Sequence, residues 1–184
     1  VPLRLGRLQA VEHEAFVTLL ARGAGIATRE VVTAAATIDD DALLVLRGEA
    51  VPLGSLGPGE IGKSTVAGAW AALAQLDAAR IAHQQLDPST VVMVDGEVGF
   101  VDFGRATVAP DALQLLTDRA QLLVTLASGV GPERALRSAV DALGSDGVAA
   151  LPQLLVALES GAACAIDTAP VIARAHALAA RQEP

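Results

Sequence analysis

Two stretches of this chain bring together residue types that could handle phosphate. In the first, Gly57-Pro58-Gly59-Glu60-Ile61-Gly62-Lys63-Ser64 has the glycines, lysine and serine of a loop whose backbone N–H groups, at a helix N-terminus, surround phosphate oxygens. In the second, Ile81-Ala82-His83-Gln84-Gln85-Leu86-Asp87-Pro88-Ser89-Thr90 leads through Asp95-Gly96 to Val101-Asp102-Phe103-Gly104. Asp102 is a hard oxygen ligand of the kind that Mg²⁺ takes. Gln85 carries an amide, which cannot accept a proton near neutral pH. Other chemistries have little to build on. The three histidines, His13, His83 and His176, show no metal-ligand spacing, and no Ser-His-Asp or Cys-His arrangement can be argued. The single cysteine, Cys164, has no second thiol for a disulfide or a zinc cluster, and it reads as a small buried apolar residue in a reducing compartment.

Composition narrows the field further. The 184 residues carry 13 basic and 21 acidic side chains, a net charge of −8, which speaks against nucleic acid and anionic membranes as partners. With 52% apolar and 18% charged residues the chain is a packed protein, long enough to bury roughly 70% of its unfolded surface. No stretch reaches the run of apolar residues that a membrane span needs, and residues 1–20 lack a signal-peptide layout. The opening Val1-Pro2-Leu3, without an initiator methionine, suggests a piece of something longer.

Both stretches must be positioned by the elements around them. Leu8, Val11, Ala15, Phe16, Leu19 and Leu20 recur at helical spacing and predict a helix over 8–22, closed by Gly23 and Gly25. Residues 29–37 and 42–46 read as a hairpin whose turn is the acidic cluster Asp39-Asp40-Asp41. Glycines and prolines crowd residues 47–63, which leave room for loop and a single helical turn and read as a hinge. Ser64 or Thr65 can cap a helix to about Ile81 with Val66, Ala69, Trp70, Leu73 and Leu76 on one face. Residues 91–94 and 98–101 form a second hairpin through Asp95-Gly96, where both turn residues tolerate positive φ. Helical patterns follow at about 110–128, 132–143, 146–159 and 168–182.

The loop from His83 to Thr90, the hairpin and Asp102-Phe103-Gly104 together resemble the catalytic loop and Asp-Phe-Gly segment of protein-kinase-like enzymes. The blocks Arg7-Leu8-Gln9-Ala10-Val11-Glu12-His13-Glu14-Ala15-Phe16-Val17-Thr18-Leu19-Leu20 and Ala82 to Ala106 resemble one subgroup. This is the kinase-like region on the cytoplasmic side of bacterial lysylphosphatidylglycerol-synthase-like, or flippase-like, integral membrane proteins. The resemblance implies an α+β, protein-kinase-like fold with a truncated small lobe over 1–47, a hinge over 48–63 and a mainly helical large lobe over 64–184. It places Asp102 at the metal position, Phe103 and Gly104 beside it, and His83 as a structural loop histidine. Glu12 or Glu14 falls where the family has the helix glutamate of a lysine–glutamate pair, yet the only lysine, Lys63, follows the hinge. Asp118 matches the buried aspartate that braces the loop; an exposed carboxylate paired with Arg119 or Arg22 is the alternative.

Two departures decide the functional expectation. Gln85 stands where the family has its proton-accepting aspartate, a loss worth roughly 10² to 10⁴ in rate. Thr90 stands in place of the asparagine that holds a second magnesium ion. Asp87 reads as a turn residue beside Pro88. The expectation is therefore a non-catalytic, pseudokinase domain that regulates or binds a partner, joined to the membrane portion of its own longer polypeptide at the cytoplasmic face. ATP and Mg²⁺ are the cofactors the resemblance implies. One alternative is an atypical Mg²⁺- and ATP-dependent phosphotransferase acting on a small molecule or lipid; a second is a P-loop NTPase working through Gly57–Ser64; a third is a purely structural role as a dimerising or scaffolding domain.

Overall fold

A computed structural model describes residues 6–37, 41–57, 59–151 and 173. The architecture is α+β, as expected. Helix α1 (Arg7–Gly23) is followed by a hairpin of β1 (Glu30–Ala36) and β2 (Ala42–Arg47). Next come a short strand β3 (Val51–Pro52) and helix α2 (Lys63–Ala78). Strand β4 (Ile81–Ala82), the hairpin of β5 (Val91–Val94) and β6 (Glu97–Phe100), and β7 (Thr107–Val108) complete the small sheets. Helices α3 (Ala112–Val130) and α4 (Pro132–Ala149) close the described chain.

The helical patterns translate with one change, in the face that α1 buries. In α2 the predicted face is the buried one: Val66, Ala69, Trp70, Leu73 and Leu76 all lie in the core. In α1 the buried residues are the smaller Ala15, Val17, Thr18 and Ala21, while Phe16 and Leu19 remain 54% and 53% exposed. Periodicity alone cannot say which of two adjacent apolar stripes a helix turns inward. The break expected at Gly144 is present: its φ of 71° and ψ of 168° are non-helical, so α4 is two helical stretches joined across a kink at a glycine. α4 ends at Ala149, with Ala150 as its C-cap, short of the expected 159; Cys164, His176 and, apart from residue 173, the expected helix over 168–182 lie outside the described residues.

The expected hinge is more structured than breaker density suggested. Val51 and Pro52 pair antiparallel with Met93 and Val92, a strand that was not expected, while the single helical turn is the 3₁₀ turn Leu53–Ser55. Pro52 is tolerated because β3 is an edge strand, so no ladder is broken by its missing N–H. The Gly54 N–H donates to Pro88 O at 2.8 Å, which ties the linker to the loop 83–90. The two expected lobes also share one hydrophobic core, in which Val17, Ala21 and Ile26 join Leu73, Leu76, Phe100, Phe103, Leu122 and Leu126. No helix among the described residues is long and apolar enough to cross a membrane.

Candidate functional site

The loop 83–90 hangs between β4 and β5, and β4 pairs with β7 just beyond Phe103. One stripe of α3 holds it. Asp118, with no exposed surface, accepts the backbone N–H of His83 at 2.5 Å and that of Gln84 at 2.7 Å. Gln114 O accepts from the Gln84 amide at 3.1 Å, the Gln121 amide oxygen accepts from Leu86 N at 2.9 Å, and Thr125 Oγ1 donates to Leu86 O at 2.9 Å. Residues 114, 118, 121 and 125 recur at spacings of four, three and four, one face of a helix. Asp118 is thus the buried brace, and the exposed alternative is excluded. Arg119 pairs with Asp77 at 2.7 Å instead, and Arg22 donates to Thr28 O. Burial pushes the Asp118 carboxyl up to about 6, although the two N–H groups pull the other way. Gln121→Ala removes the acceptor for a backbone N–H, and the expected loss is about 1–2 kcal/mol in urea unfolding.

His83 is fully buried, with its ring centroid 4.8 Å from that of Phe103 and 5.9 Å from that of Phe100. Its Nε2 lies 2.8 Å from Val101 O, so Nε2 carries the proton in the neutral ring. Burial lowers its pKa despite the Val101 carbonyl and nearby Asp102. A neutral, enclosed imidazole packs the hairpin and the loop together; it is not placed for proton transfer. Phe103 is equally buried.

Thr90 is also fully buried, and its hydroxyl is occupied within the loop: it donates to Gln85 O at 2.7 Å and accepts from Asp87 N at 2.9 Å. As a ligand for nucleotide or metal it is therefore withdrawn, because a side chain closing its own loop has no free lone pair facing solvent. Asp87 is the expected turn residue. Its carboxylate accepts from Ser89 N at 2.7 Å, Ser89 Oγ at 2.5 Å and Thr90 N at 3.2 Å. Burial opposes ionisation there, but these bonds outweigh it and lower the pKa. Gln85 stays half-buried at the loop centre.

Asp102 is exposed, with φ 64° and ψ 57°. An aspartate in this left-handed conformation is a local strain that surrounding structure has to hold. Of the two candidate glutamates, Glu14 reaches this corner: a Cβ on Gly104 would lie 3.3 Å from Glu14 Oε2. Glu12 is exposed to solvent. The Glu14 pKa is raised, first by burial and then by the charge of Asp102, while Arg29 and His13 act to lower it. Two residues that sequence reasoning missed meet here. His13 Nε2 lies 2.9 Å from Ala106 O and so ties α1 to the segment after Phe103. Arg29, whose Nε is buried without a partner among the described residues, is the cation near Glu14 where no lysine was available. An arginine at the start of a hairpin, in a different element from the glutamate, carries no spacing signal that would have marked it.

The Lys63 loop lacks the support a phosphate cradle needs. The strand before it, β3, pairs antiparallel with β5, and Glu60 itself accepts the Gly57 N–H. Lys63 is simply the first residue of α2.

Known proteins add no family to this geometry. No protein-family model matches the chain, and no curated protein matches it. Among the described residues, no three His, Cys, Asp or Glu side chains are gathered where they could hold a metal ion. Function therefore has to be argued from the loop, its brace and the Asp102 corner.

Proposed function

We propose that this is a non-catalytic, kinase-like regulatory or partner-binding domain with weak or absent nucleotide binding. The reading is carried by a loop braced through Asp118 beside Asp102-Phe103-Gly104 while Gln85 occupies its proton-accepting position. The antiparallel β5–β6 hairpin between loop and Asp102, and the β4–β7 pair flanking them, support the same reading. Phosphoryl transfer depends on a base, a metal and a phosphate clamp acting together. Gln85 removes the base, and the internal bonds of Thr90 remove a second metal ligand. On this reading the small lobe spans about 1–47 and the domain serves the membrane portion of a longer polypeptide from its cytoplasmic side, a placement that rests on the sequence resemblance.

A second reading, an atypical phosphotransferase, is favoured by one observation: Asp102 and Arg29 both lie close enough to Glu14 for their charges to act on it. Asp102 and Glu14 would be the residues to hold Mg²⁺, which takes one or two carboxylates and keeps several waters. Arg29 would face phosphate. Thermal unfolding in the presence of millimolar ATP and Mg²⁺ separates the readings, because a specific ligand raises stability by mass action. The expected result is a shift under about 1 °C. A shift of several degrees, about 2.7 kcal/mol at a hundredfold excess over Kd, that is lost in Asp102→Ala would establish the phosphotransferase reading instead.

A further inference from the structure

Away from the loop and Asp102, α2 and α4 diverge to leave a cleft of about 690 Å³. Its floor comes from α2: Val66, Ala67, Trp70, Ala71 and Ala74. The Trp70 indole, 4% exposed, donates to Ser138 Oγ on α4 at 3.0 Å and fixes the two walls together. The charged residues that line it are Lys63 of α2 and Arg134, Arg137 and Asp141 of α4. Three cations against one anion is an unusual local balance in a chain of net charge −8. Lys63, Arg134 and Arg137 make no ion pair among the described residues.

We propose that this cleft binds a small amphiphilic organic anion, with its apolar body on the alanine and tryptophan floor and its carboxylate between Lys63 and the two arginines. The volume lies within the roughly 300–1,000 Å³ of small-molecule sites, and a few charged groups on an apolar lining are what give such sites orientation and specificity. Arginine suits the head group because its planar fork meets a carboxylate with two donors at once. A cationic amphiphile would bring the same apolar body against three like charges and is excluded on that ground.

The test uses a built-in reporter, since Trp70 is the only tryptophan and the chain has no tyrosine. Sodium decanoate and decyltrimethylammonium, both kept below their micelle concentrations, are titrated against Trp70 emission. Decanoate is expected to give a saturable change and the ammonium compound none. Arg134→Gln with Arg137→Gln should weaken decanoate binding about tenfold or more, the loss of roughly 1.4 kcal/mol. Because both arginines are exposed, the thermal midpoint of this variant should match that of the parent. An equal response to the two compounds, an unchanged affinity in a folded variant, or no saturable response to decanoate would each overturn the assignment.

Discussion

Gly99→Ala is expected to destabilise the protein by about 3 kcal/mol or more, at the upper end of what overpacking a core costs. A Cβ at Gly99 would stand 1.7 Å from Ala27 O and 2.8 Å from Ala27 Cβ. Residue 27 forms a parallel bridge with Gly99, and Ala27 O accepts the Phe100 N–H at 3.1 Å. The contact is backbone against backbone, so no side chain can turn aside to admit a methyl group. It is also the seam between the segment leaving α1 and strand β6, hence between the small N-terminal unit and the hairpin that leads to Asp102. Urea unfolding measures the loss, with Gly23→Ala as the control. That glycine has nothing within 4 Å of a built Cβ, and the substitution should change stability by less than about 1 kcal/mol, in the stabilising direction. Equal midpoints for Gly99→Ala and the parent would mean that the seam opens readily and that the two parts are not rigidly joined.

Asp118→Ala is expected to have the next largest effect, because it strips the acceptor from two backbone N–H groups at once. Each donor left buried without a partner costs roughly 1–3 kcal/mol. The pH dependence gives a sharper signature. The folded carboxyl is raised from 3.8 to about 6, chiefly by burial. A group shifted upward favours folding while it is protonated, so its contribution is full below about pH 4 and is lost as pH rises through about 6. The drop amounts to about 3 kcal/mol at roughly 1.4 kcal/mol for each unit. Unfolding free energy followed between pH 4 and 7 should show this decline in the parent and not in Asp118→Asn. The amide is also expected to lower stability at pH 7, since its NH₂ group faces a backbone donor where an oxygen stood. A parent protein with no such decline would show that the two N–H bonds offset burial completely.

The local pieces were legible because each rests on a short-range rule. Asp95-Gly96 forces a tight hairpin through its φ values of 51° and 84°, and five apolar residues of α2 set its buried face. Asp87 beside Ser89 closes its own turn without help from elsewhere. Asp118 was visible only as one of two possibilities, since a carboxylate on a helix looks the same in sequence whether solvent or a loop lies opposite. Its companions Gln114, Gln121 and Thr125 were not visible at all, because amide and hydroxyl side chains on α3 gain meaning only from the loop they touch. The short strand inside the hinge is illegible for a related reason: a two-residue strand containing proline has no period, and β3 exists because Met93 and Val92 lie alongside it.

By itself, then, the sequence settled what neighbouring residues settle among themselves: the helices α1 to α3, the two hairpins, an amide instead of an ionisable group at Gln85 and the absence of a lysine before residue 63. Which glutamate meets Asp102, that Arg29 and His13 reach the same corner, and that α2 and α4 leave a cationic cleft were decided only by folding. Those outcomes depend on contacts between residues tens of positions apart, whose free energies follow from burial and hydrogen-bond partners that no local pattern encodes.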